Sequence, residues 1–157
     1  NGMTFIRSRI DKFNFAKTDM LIALHACDTA TDDAIFKGIK SEANWIIVAP
    51  CCHKQIRKEM NCSNPLSYIT QYGILEERMA EMVTDTLRAL VMEANGYKTK
   101  IFEFVSTGHT AKNIMITGEK SGQIDKSQAA GRIEELKKTF GIENFYLQEK
   151  LAEKQAQ

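Results

Sequence analysis

The sequence predicts an α/β fold with a partly parallel sheet, and three observations predict it. Residues 20–24 and 45–49 are short continuous apolar runs bounded by polar residues, the pattern of strands buried on both faces. Between them Thr29 is followed three residues later by Asp32, which fits a capping box, and Ile35 and Ile39 then recur at helical spacing. Last, a long helical pattern over residues 74–95 leads into two strand candidates joined by a short loop. Together these give β-α-β, short helices, a long helix and a β-β hairpin.

From the N-terminus, residues 3–10 alternate enough to predict a strand, and residues 11–18 connect it to the run at residue 20. A nucleotide-binding βα unit carries a Gly-rich turn, and these residues supply none. His25, Cys27, Asp28, Cys51, Cys52 and His53 all follow the C-terminal ends of the two apolar runs, the edge where open α/β sheets bind ligands. A short basic helix is expected over residues 54–60, and Asn64-Pro65 reads as an N-cap followed by proline at the first helical position. In the long helix Leu75, Met79, Met82, Val83, Leu87, Leu90 and Val91 form one apolar stripe, with Asn95-Gly96 as its stop. Residues 97–105 and 113–117 are the hairpin strands. Helices are expected over residues 128–140 and from Asn144 onward, with a polar tail from Gln148 that frays. We divide the chain at residue 120, with a helical extension over 121–157.

The whole chain bounds the function. Its 157 residues suffice for one domain with a real core. A formal net charge of +1 exerts no global pull on nucleic acid or anionic membrane, and no apolar run reaches the roughly 20 residues of a membrane helix. Four cysteines in a chain without a signal-peptide pattern are expected as free thiols in a cytoplasmic protein.

Three stretches are more specific than the topology. They are Leu24-His25-Ala26-Cys27-Asp28-Thr29-Ala30-Thr31-Asp32, Ala49-Pro50-Cys51-Cys52-His53-Lys54, and Phe104-Val105-Ser106-Thr107-Gly108-His109-Thr110-Ala111-Lys112-Asn113. In this order they resemble signatures of one subfamily of class I S-adenosylmethionine-dependent methyltransferases, whose distant relatives include tRNA ribose methyltransferases. The resemblance covers about residues 3–118 and implies a Rossmann-like, mostly parallel sheet with helices on its faces and a C-terminal antiparallel hairpin. The first two strands of that fold, which carry the Gly-rich loop and the ribose-binding carboxylate, have no counterpart here. On this reading residues 3–10 are the third strand, and the chain is the C-terminal portion of a longer enzyme, inactive alone.

The resemblance implies S-adenosylmethionine as cofactor, approached by Ser8, Arg9, Ile10, Leu24, His25 and Ala26. It implies His25, Asp28 and His53 as catalytic candidates, and Cys27, Pro50, Cys51, Cys52, His109 and Asn113 around the acceptor. Bland readings stand beside these. His25 is also suited to capping backbone groups, Asp28 to a turn or a helix start, and Asp32 to a helix cap. His109 and Asn113 also fit a polar loop and its strand entry. Cys27, Cys51, Cys52 and a histidine suggest zinc, but adjacent cysteines strain a tetrahedral site, and no metal is expected. Lys54, Arg57 and Lys58 suit RNA phosphates but suit a solvated helix face better, and RNA is the expected substrate on the resemblance to tRNA-modifying relatives together with this modest cluster. On the reading as a C-terminal portion, loss of the first two strands exposes the face and edge of the strand at residues 19–24 and predicts self-association through that edge. The alternatives are a non-enzymatic α/β scaffold or binding domain, and a zinc-binding interaction module.

Overall fold

The computed structural model describes residues 2–13, 17–105 and 113–153. The predicted βαβ unit is present as β1 (Met20–Leu24), α1 (Thr29–Lys40) and β2 (Trp45–Ala49), with β1 and β2 parallel. Then come α2 (Lys54–Glu59), the one-turn α3 (Ser67–Thr70) and the long α4 (Gly73–Ala94). The hairpin strands β3 (Tyr97–Glu103) and β4 (Ile114–Lys120) follow, and α5 (Lys126–Phe140) and α6 (Tyr146–Glu153) complete the described chain.

The sheet order is β1-β2-β4-β3. The last strand inserts between β2 and β3 and runs antiparallel to both. The sheet is therefore mixed, with one parallel and two antiparallel pairings among the described residues, where a mostly parallel sheet was expected. The short connection between β3 and β4 dictates their antiparallel pairing, and the insertion makes β4 antiparallel to β2 as well.

Among the described residues, helices cover one face of the sheet. Leu21, Ile46, Val48, Ile116 and Tyr97 are buried against Ile35 and Phe36 of α1 and Val83, Leu87 and Met92 of α4. The approach of α1 to the sheet is close at Gly38, where a Cβ would stand 2.7 Å from the Ile46 side chain. Only glycine fits there without displacing the Ile46 side chain. On the other face Met20, Ile22 and Leu24 are 46%, 56% and 60% exposed, and Trp45 and Phe102 also meet solvent. The continuous apolar runs predict strands buried on both faces, whereas the observed burial alternates. Period-two geometry sends alternate side chains to opposite faces, and only one has a helical cover.

Residues 3–10 form no strand. They run irregularly, with Met3, Phe5 and Ile6 exposed, because no described strand lies beyond β1 to give them a ladder. Asn64-Pro65 lies in a turn before α3 rather than at its first helical position. Within α4 the stripe is shifted. Ala80, Val83, Leu87, Val91 and Met92 are buried, whereas Leu75 and Met82 face outward. β4 continues to Lys120, past the expected end at residue 117. The polar-looking C-terminal segment is helical to Glu153, because Leu147 and Leu151 enter the core and Lys150 binds Asp33. α5 packs along α4, and α6 packs on α1. No described helix is long and apolar enough to cross a membrane.

Candidate acceptor site at the strand ends

β1 ends in a sharp reversal. His25 has φ 57 and Asp28 has φ 53, left-handed backbone that side chains with a Cβ rarely adopt. Each such residue costs on the order of 1–3 kcal/mol, so the surroundings must hold it in place. They do so at Asp28. Its carbonyl accepts a bond from Arg88 Nη2 at 2.9 Å, and its Oδ1 accepts one from the Gln55 backbone N–H at 3.0 Å. Thr31 Oγ1 donates to the Ala26 carbonyl, fixing the other side of the loop. The Asp28 carboxylate thus caps α2 across space and ties the loop after β1 to the loop after β2.

The loop after β2 delivers Pro50, Cys51, Cys52 and His53. His53 Nε2 lies 3.0 Å from Asp85 Oδ1. An ionised carboxylate only accepts, so Nε2 carries the proton in this pair, and it is the neutral form of the ring that presents a lone pair at Nδ1. Nδ1 has no hydrogen-bond partner, and Glu81 Oε1 stands 4.0 Å away, beyond hydrogen-bond reach. His53 is 8% exposed, and it borders a hollow of 270 Å³ with Cys51, Cys52, Lys54, Arg57 and Glu81.

Behind His53 is a buried ion network. Arg88, 0% exposed, donates from Nε to Asp32 Oδ1 at 2.7 Å and from Nη1 to Asp85 Oδ1 at 3.1 Å. Its planar fork thus joins two carboxylates and the Asp28 carbonyl, a geometry that an ammonium cannot reproduce. Burial raises the Asp32 pKa above its ordinary value, and Arg88 pulls it back only in part. Burial works against the Arg88 charge, but Asp32 and Asp85 more than offset it and hold its pKa up. Asp32 is therefore Arg88's partner rather than the expected helix cap, and α1 has no side-chain cap at its start.

The thiols meet at the same edge. Cys27 Sγ and Cys51 Sγ are 2.9 Å apart, and Cys52 Sγ is 3.8 Å from Cys51 Sγ. Hydrogen bonding with Cys51 holds the Cys27 thiol below its usual range, while the same bond pushes Cys51 up to about 12.

The site residues expected from the sequence divide accordingly. His25, Ala26, Cys27, Asp28, Cys51, Cys52 and His53 lie on two adjoining loops, with Leu24 and Pro50 at their bases. Ser8, Arg9 and Ile10 instead border a separate hollow formed with Thr4, Ile6 and Phe13, and Arg9 pairs with Asp11. Asn113 is buried and serves the hairpin: its Nδ2 donates to the Val105 carbonyl at 2.8 Å, and its own carbonyl accepts from Phe104. It also borders an 840 Å³ cavity between α4 and the hairpin, shared with Asp85 and Glu81. His109 lies outside the described residues. Of the basic cluster, Arg57 is committed to Glu76 and Glu77, at 3.1 and 3.4 Å.

Sequence reasoning missed Asp85 and Arg88. The signal was present, since these two charges lie three apart among the apolar positions Val83, Leu87 and Val91 of α4.

Residues 1–59 match the model of a family described as a methyltransferase domain. No curated protein and no solved structure matches the chain. The matched stretch includes β1, α1, β2 and α2, and with them both site loops. The mixed α/β architecture is compatible with a methyltransferase-like fold. The described residues do not by themselves fit S-adenosylmethionine. β1 is followed by His-Ala-Cys-Asp and β2 by Pro-Cys-Cys-His, and neither is the glycine-rich turn that would admit the cofactor's backbone contacts.

Proposed function

We propose that this chain forms the acceptor side of a centre that passes a methyl group from S-adenosylmethionine to an oxygen or nitrogen nucleophile. The carrying observation is the pair of His53, after β2 and inside the family match, with Asp85 of α4, next to a hollow. S-adenosylmethionine supplies an electrophilic methyl group, and its transfer needs an aligned nucleophile freed of its proton. His53 Nδ1 is the acceptor for that proton. Asp85 fixes the tautomer, and Arg88 fixes Asp85, so the imidazole is oriented before substrate arrives. His25, on the strained loop opposite, positions the acceptor, and Asp28 holds the two loops in register.

The chain is proposed to work as the C-terminal part of a larger catalytic fold. The uncovered sheet face and the unpaired β1 edge support this, because both have the apolar character of surfaces that other elements cover. RNA is the acceptor class to test first, with exposed Lys54 and Lys58 on α2 available to phosphates. Calorimetric titration of S-adenosylhomocysteine into the protein expressed from its whole gene, and into this chain alone, tests the reading. Binding by the former and weak binding by the latter is expected. No binding by either removes the methyl-transfer reading and leaves a scaffold that keeps the architecture.

A further inference from the structure

The cluster of Cys27, Cys51 and Cys52 is not used by the proton-transfer geometry above. Their three sulfurs lie within 4.8 Å of one another, at the mouths of two different strands. Consecutive residues of a strand point to opposite faces, which argues against adjacent cysteines sharing an ion. Cys51 and Cys52, however, lie beyond the end of β2, where the backbone after Pro50 is irregular and turns both sulfurs to the same side.

We propose that Cys27, Cys51 and Cys52 form a three-thiolate site for zinc, with the fourth coordination position open. A zinc–thiolate bond of about 2.3 Å places the sulfurs of a tetrahedral site about 3.8 Å apart. The Cys51–Cys52 separation of 3.8 Å already has this value. The Cys27–Cys51 separation of 2.9 Å must widen, which a rotation of the exposed Cys27 side chain supplies. Thiolate donors select zinc or a monovalent d10 ion over magnesium or calcium, and each ligating thiol releases its proton to solvent. Three protein ligands and one open position are the arrangement of a zinc that meets substrate, whereas a purely structural zinc is closed by four. The site does not depend on the methyl-transfer reading.

Cys62 supplies an internal control, since its thiol donates to the Phe140 carbonyl away from the cluster. The reduced, metal-stripped protein is titrated with zinc against a chromophoric chelator, and with cobalt to observe thiolate-to-metal charge-transfer absorption. Wild type and Cys62→Ser are expected to take one equivalent, to melt at higher temperature when loaded, and to show the cobalt band. Cys27→Ser and Cys52→Ser are expected to lose all three responses while keeping the wild-type far-ultraviolet circular dichroism. Chelator that keeps all the zinc, or Cys27→Ser binding as wild type does, would overturn the site. So would a Cys27–Cys51 disulfide in protein isolated without reductant, if the reduced form then ignores both metals.

Discussion

Replacing Arg88 by methionine tests the network on which the site rests. Methionine follows the arginine stem as far as Nε and carries no charge, so the change keeps the packing of the stem and removes the guanidinium. It leaves Asp32 and Asp85 buried without their cation, and the Asp28 carbonyl without its 2.9 Å donor. Removing one partner of a buried ion pair costs roughly 3–5 kcal/mol, because a charge is left uncompensated. The orphaned carbonyl adds about 1–3 kcal/mol. Some of this relaxes as Asp32 takes up a proton, so the expected loss is about 4 kcal/mol, against a typical total of about 5–15 kcal/mol. At this chain length that corresponds to a fall in Tm of roughly 8–16 °C.

The loss also depends on pH in a defined direction. The Asp32 pKa in the folded protein lies above the ordinary 3.8. The unfolded chain therefore gives up this proton first, and ionisation of Asp32 draws on folded stability as pH rises through the interval between the two values. Without Arg88 the folded value moves higher still. The Arg88→Met deficit should thus be smallest at acid pH, as Asp32 takes up its proton, and grow toward neutrality. Urea unfolding followed by circular dichroism across this range measures it. A loss below about 1 kcal/mol, or one that is flat with pH, would refute the buried network.

Other expectations follow from the same geometry. Arg88→Lys retains charge but not the fork, and calorimetric melting should show it recovering only part of the methionine variant's loss. Gly38→Ala puts a Cβ 2.7 Å from Ile46 and should cost about 1–3 kcal/mol by urea unfolding, with Ile46→Val restoring part of it. Ile22→Lys, on the uncovered face, should change stability by less than about 0.5 kcal/mol. It should also shift the light-scattering mass toward monomer, because β1's face and edge are the expected surface of self-association. A wild-type protein that is monomeric at high concentration would contradict that surface.

Where a signal is local and periodic, the sequence and the structure agree. β1, α1, β2, α4 and the hairpin are set by apolar runs, helical spacing and a short connection, and all lie within a few residues of expectation. The elements that differ depend on partners far away in the chain. Residues 3–10 alternate like a strand but have no described neighbour to pair with, and Leu147 and Leu151 gain the core only because α1 and α4 are there to receive them. The site divides along the same line. His25, Asp28, Cys51, Cys52 and His53 were legible because they follow strand ends directly. Asp28's service to α2 and Asp32's pairing with Arg88 were not, because each depends on a contact 27 or 56 residues away, whereas the Asp85–Arg88 couple, three residues apart on α4, carried a local signal that was missed. His53, named first for its position in a motif, acquires its chemistry from Asp85, 32 residues further on.

The most direct test of the account compares methyl transfer by wild type and His53→Gln, using methyl-labelled S-adenosylmethionine, total RNA and the protein expressed from its whole gene. The account predicts label in RNA with wild type and a fall of about 100-fold with His53→Gln, while S-adenosylhomocysteine binding stays unchanged. Transfer by His53→Gln at the wild-type rate would contradict the role of His53 as the proton acceptor.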